Sequence, residues 1–147
     1  MANDDLAEAV ASYMRGREAG LLGGGIALLA AGEGYAKVSL TITAEMLNGL
    51  GTAHGGVIFT LADCAFAYAC NSRNEAAVAQ QASITFLSAG RAGETLTAEA
   101  AEQAAVGRAG VYTVTVTGAD GRAVAVFQGL SRSVGKKVLP DAAAQPS

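Results

Sequence analysis

The chain has 147 residues, 51% of them hydrophobic and only 16% charged, which is apolar material enough for one packed core and too little charge for a disordered chain. A net charge of -3, an isoelectric point near 5.0 and the lack of any Lys/Arg cluster interleaved with aromatics exclude nucleic acid as a partner class. The N-terminus starts acidic, without the basic and apolar regions of a secretory signal, and this points to the cytoplasm.

In chain order, Leu6, Val10, Tyr13 and Met14 recur at near-helical spacing and predict a short amphipathic helix ending at Arg17, which the glycines from Gly20 to Gly25 break. The stretch "GIALLAAGEGYAKVSLTITA" predicts a hairpin turning at Gly32-Glu33-Gly34, with Ala36, Val38, Leu40 and Ile42 on its apolar face. Next comes "NGLGTAHGGVIFTLADCAFAYACNS", a loop and then a helix that is apolar on nearly every side. Its run from Val57 to Cys70 is too short for a membrane span of roughly 20 residues, and Asp63 stands at its middle. No membrane is expected as a partner. Four strand-like runs follow, Val78–Ser88, Thr95–Val106, Val111–Thr117 and Ala123–Ser133, separated by short glycine-bearing turns. The expected organisation is a leading helix in 1–20, one α+β domain in 21–135 and a flexible tail in 136–147, with a curved antiparallel sheet around the long helix.

Few groups are on offer for chemistry. There is no G-x-S-x-G elbow, and a lone histidine supports no hydrolase triad together with any second histidine role. One His and two Cys do not make a tetrahedral metal set, so no metal is expected. Cys64 and Cys70, six residues apart, are separated by about 9 Å of helical rise and are read as free thiols. The glycines of "GLLGGGIALLAAGEG" precede a strand rather than joining a strand to a helix, and are read as turn residues instead of a nucleotide cradle.

What remains is "AHGG" followed by Asp63. Gly55 and Gly56 fall where the long helix begins, so their N–H groups are expected to be free at its positive end and able to polarise a carbonyl. Asp63 would be general base or nucleophile in acyl transfer, and a thioester suits best because a thiol of pKa about 8.5 leaves without a separate acid. The bland readings stand beside this one. Asp63 could pair with a buried Arg or accept backbone N–H groups, and His54 could hydrogen-bond the loop at the helix entry. Asn48 could close a turn or orient a water or carbonyl, while Ser83 and Thr85 could be surface residues of one strand face.

The motif "MLNGLGTAHGGVIFTLADCAFAYACNS" resembles the signature of hotdog-fold acyl-CoA thioesterases of the phenylacetate-degradation type, the PaaI family, and the resemblance extends more loosely from about Ala11 to Val134. It implies the hotdog fold, a homodimer with a continuous sheet as the catalytic unit, a homotetramer built as a dimer of dimers, and no cofactor. It implies hydrolysis of phenylacetyl-CoA or a hydroxylated phenylacetyl-CoA to the free acid and CoA. Carried over by position, Asp63 is the catalytic carboxylate, Gly55 the N–H that polarises the thioester carbonyl, Asn48 a side chain lining the site and His54 the motif histidine beside it. Ser83 falls near a position where a hydroxyl contacts the attacking water. Where relatives often carry Arg-Pro, this chain has "FLSAGRAG", and Arg91, Arg108, Lys136 and Lys137 are the candidates for holding the CoA phosphates. Two rivals remain: an acyl-thioester hydratase or dehydratase, which releases no thiol, and a non-catalytic acyl-CoA-binding module, which binds without turnover.

Overall fold

The computed structural model describes residues 2–141. A leading helix α1 (Asn3–Arg17) precedes the hairpin β1 (Ala27–Gly32) and β2 (Tyr35–Thr41); the long helix α2 (Gly55–Cys70) comes next, then β3 (Glu75–Phe86), β4 (Thr95–Val106), β5 (Ala109–Thr117) and β6 (Ala123–Lys137). All six strands form one antiparallel sheet in the order β1-β2-β4-β5-β6-β3. Helix α2 packs against every one of them, which a flat sheet could not offer to a single helix. The hotdog arrangement expected from the sequence is the one found.

The local reasons are legible in the residues. The β1–β2 turn closes at Gly34, whose φ of 67° suits glycine, and the alternation along β2 buries Ala36, Val38 and Leu40. Helix α1 meets β1 through small side chains, with Ala7, Val10 and Ala11 fully buried and Met14 against the core, while Leu6 and Tyr13 are only partly covered. The inner face of the sheet supplies Leu96, Ala98, Ala100, Val114, Val116 and Phe127, all at 0% exposure, against Ile58, Leu61, Ala65 and Phe66 of α2. Each larger apolar chain buried in this way is worth about 1.5–3 kcal/mol. Among the described residues no helix is long and apolar enough to cross a membrane.

Three strands overrun their expected limits, β5 by only two residues at its start. β3 begins at Glu75 because the C-cap residue of α2, Asn71, is buried and its amide donates to Ala77 O (3.2 Å) and accepts from Ala77 N–H (2.8 Å). β6 runs on to Lys137, so a tail starting at 136 begins inside a strand. Asn74, at φ 64°, then accepts from the N–H groups of Val138 (3.1 Å) and Leu139 (2.8 Å). The rest of the expected tail, 142–147, lies outside the described residues.

Candidate active site

The entry to α2 is built by His54 and the two glycines after it. His54 is the N-cap, and its Nδ1 accepts from the Gly56 N–H at 2.9 Å, so the ring carries its hydrogen on Nε2. One of the two glycine donors expected to be free is therefore in use. The N–H groups of Val57 and Ile58 both go to His54 O. That leaves the Gly55 N–H without a partner among the described residues, at the positive end of a 16-residue helix. A side chain at position 55 would meet the half-exposed ring of Phe86, 3.1 Å from an ideal Cβ.

Asp63 lies on the single stripe of α2 that the sheet does not wrap. Gly56, Thr60, Asp63, Ala67 and Cys70, spaced four, three, four and three residues apart, run along it partly or fully open, and Gly55, Val57 and Phe59 are also partly open near the start of the helix. The Asp63 carboxylate has no hydrogen-bond or ion-pair partner among the described residues, which offer it neither an Arg partner nor backbone donors. Burial raises its pKa above the usual carboxylate value, and the negative charge of Glu18 raises it further. The neighbouring thiols are poor nucleophiles, since burial pushes both Cys64 and Cys70 up to about 12. From Gly55 to Asp63 is eight residues, a rise of about 12 Å, so the donor and the carboxylate of one chain cannot serve one thioester.

The other expected residues are dispersed. Asn48 closes its own loop: Oδ1 accepts from the N–H groups of Leu50 (2.9 Å) and Thr52 (3.2 Å), and Nδ2 donates to Thr52 Oγ1 (3.0 Å). Ser83 pairs with Gln128, one residue out of phase with the inward Ile84–Phe127 pair, and so stands on the outer sheet face, away from α2. By register the inward positions of β3 are Ala77, Ala79, Ala82, Ile84 and Phe86, none with a hydroxyl.

Arg91 follows Gly90, whose carbonyl accepts from Ala53 N–H at 2.8 Å, and thus sits beside the entry to α2. Its loop is held by Glu94, which binds Arg122 at 2.6 Å and accepts from the Arg91 N–H, and these contacts keep the Glu94 carboxyl at about 2. Arg108 lines a cavity of about 360 Å³ with Cys70, Arg73 and Tyr112, and Lys136 and Lys137 line a groove of about 520 Å³ with Tyr13, Arg17 and Asn71. These cations are at the opposite end of α2 from Arg91. Glu18 and Tyr68, joined at 3.1 Å, had no signal in the sequence, because 50 residues separate them and each reads locally as an ordinary helix residue.

Residues 50–125 match the family described as the thioesterase superfamily. The chain is 45% identical over 118 residues to the acyl-coenzyme A thioesterase PaaI of Escherichia coli K12, covering 80% of this chain and 84% of that protein. The solved structure of the Escherichia coli PaaI protein from the phenylacetic acid degradation operon superimposes with a TM-score of 0.90 at 41% identity, covering 92% of this chain and 99% of that one. A Streptococcus mutans UA159 protein bound to acetyl CoA aligns with a TM-score of 0.73 at 30% identity, over 76% of this chain and 90% of its own.

Proposed function

This chain belongs to the thioesterase superfamily, and on that premise we propose that it is an acyl-CoA thioesterase that hydrolyses aryl-acyl thioesters to the free acid and coenzyme A. The observation that carries the reading is the pairing of one unengaged helix-terminal N–H, on Gly55, with one partnerless carboxylate, Asp63, on an uncovered stripe of the same helix. The Gly55 N–H donates to the thioester oxygen as negative charge develops there. Asp63 either takes a proton from the attacking water or attacks the carbonyl carbon itself, and the coenzyme leaves as thiolate. The acyl class, phenylacetyl or hydroxylated phenylacetyl, is supported by the likeness to the Escherichia coli enzyme.

The catalytic unit we infer is a two-fold dimer. β3 is paired on one side only, with β6, and the open stripe of α2 needs a cover. Antiparallel pairing of β3 with its copy would extend the sheet and set the two stripes face to face, so that Gly55 of one protomer meets Asp63 of the other. His54 has its Nδ1 engaged in capping, which leaves only Nε2 for a proton-transfer role of the hydratase kind.

The test is thiol release from a panel of aryl- and alkyl-acyl-CoAs with wild type and Asp63→Asn. Aryl thioesters should be cleaved fastest, and the variant should lose at least about a hundredfold in turnover. A folded Asp63→Asn with near wild-type turnover would remove Asp63 from the mechanism. Tight acyl-CoA binding without thiol release would instead identify a binding module.

A further inference from the structure

The chain has four Phe and four Tyr, and every ring but one has a specific neighbour. Phe59, Phe66, Tyr112 and Phe127 meet ring to ring around the core. Tyr35 and Tyr68 donate to Glu99 and Glu18, and Tyr13 accepts from Arg17, which also lies over its ring. Phe86 is the exception. Among the described residues it has no aromatic or cationic partner, and its apolar ring is half-exposed. It stands instead at the entry to α2, with Cζ 3.1 Å from an ideal Cβ at Gly55 and Cε1 and Cε2 at 3.5 and 3.6 Å. The mount of this ring is firm. Phe86 ends β3 on the face it shares with Ile84, opposite Ala125; the N–H groups of Leu87 and Ser88 then go to Val124 O, and the Ser88 hydroxyl donates to Ala123 O at 2.7 Å.

We propose that Phe86 determines specificity for the acyl group, its ring receiving the aryl ring of the substrate beside the Gly55 N–H. The inference rests on that N–H holding the thioester carbonyl. A donor in that role lies about 2.7–3.1 Å from the oxygen, so the acyl substituent of the carbonyl carbon starts beside position 55. Aromatic rings pair offset or edge to face with centroids about 4.5–7 Å apart, a spacing that a direct or one-methylene link between carbonyl and ring can reach. The open stripe of α2 offers Gly56, Thr60, Asp63, Ala67 and Cys70, with no ring, and Phe59 is already paired with Phe127 at 5.3 Å between centroids. Phe86 is thus the aromatic surface within reach. An alkyl chain would still gain apolar contact there, but it lacks the matching quadrupole and gives up more rotational freedom on binding.

The experiment compares phenylacetyl-CoA with hexanoyl-CoA on wild type, Phe86→Leu and Phe86→Tyr. In Phe86→Leu the aryl-to-alkyl ratio of kcat/KM should fall roughly two- to twelvefold with the hexanoyl value nearly unchanged, and Phe86→Tyr, which keeps the ring, should hold the wild-type ratio. An unmoved ratio overturns the proposal. So does an equal loss for both thioesters, which would make the ring a wall of the site or a contact of the thiol arm. Dissociation of Phe86→Leu into monomers on gel filtration would mark a subunit contact and overturn it too. Should Phe86→Leu not fold, Phe86→Ile puts the same question. Binding separates this inference from the thioesterase reading: in the Asp63→Asn form, adding Phe86→Leu should weaken phenylacetyl-CoA more than hexanoyl-CoA. If wild type cleaves neither thioester, the thioesterase reading fails, while the two affinities still decide whether Phe86 reads the aryl ring. Equal weakening, or no binding of either, overturns it.

Discussion

At the scale of single residues, His54 and Asp63 make opposite demands on the fold. As the N-cap of α2, His54 satisfies one donor, and replacing it with Ala should cost about 0.5–2 kcal/mol, whereas His54→Asn, with a short side-chain acceptor, should recover most of that. Denaturant melts of the two variants check this. Recovery of turnover alongside stability in His54→Asn marks the histidine as a cap, and a stable but inactive His54→Asn marks a further role for Nε2. Asp63 is a cost to the fold. Its folded pKa lies above the unfolded one, so the folded state binds a proton more readily, and stability declines as pH rises from the unfolded value through the folded one. At neutral pH Asp63→Asn should therefore melt at or above the wild-type midpoint while inactive, and a marked loss of stability would show that the carboxylate has a structural partner. Asp63 could be found in the sequence because a lone acid in an apolar helix is conspicuous. The engagement of Gly56 could not, since it depends on the rotamer of the residue before the helix, and the outward direction of Ser83 depends on strand pairing.

At the scale of elements, α2 and β6 meet tightly at one point. Phe66 is buried, with its ring 5.6 Å from that of Tyr112 and 5.7 Å from that of Phe127, and it lies against Gly129, where a Cβ would stand 2.7–2.8 Å from three ring atoms. Gly129→Ala should destabilise by about 1–3 kcal/mol through overpacking, and adding Phe66→Leu should return part of it. Additive losses in that pair, measured by urea unfolding, would mean that the two residues do not compete for space. A glycine in mid-strand is a readable sign of such an approach, though its partner is not. The order of helices and strands followed from periodicity and turn glycines, and β4 matched to the residue, because apolar alternation starts and stops with it. The ends of β3 and β6 did not follow, because they are set by the Asn71 side chain and by pairing of Glu75 with Lys137, not by any apolar pattern.

At the scale of the whole molecule, the proposed roles of Gly55 and Asp63 on one thioester would require a second chain, because the two are separated by about 12 Å along one helix. Asp63→Asn and Gly55→Val, each inactive alone, should complement when unfolded and reassembled together. Random mixing makes half the dimers hybrid, each with one intact site, and so about a quarter of wild-type activity should return. Verified exchange of subunits without recovered turnover would refute a shared site. The condition that a shared site would need a second chain was readable from helix geometry alone, whereas the open edge of β3 was not, because which strand ends at an edge is decided by the sheet order. That edge has a consequence in time. β3 offers its open side along 12 residues, with one charged side chain, Glu75, and neither lysine nor proline to discourage stray pairing. With the site shared as proposed, a newly folded chain would wait, inactive and adhesive, for a copy of itself. The wait shortens as chains become more abundant, and mispairing quickens with them, so the supply of working enzyme depends on how fast each chain is released beside its twin.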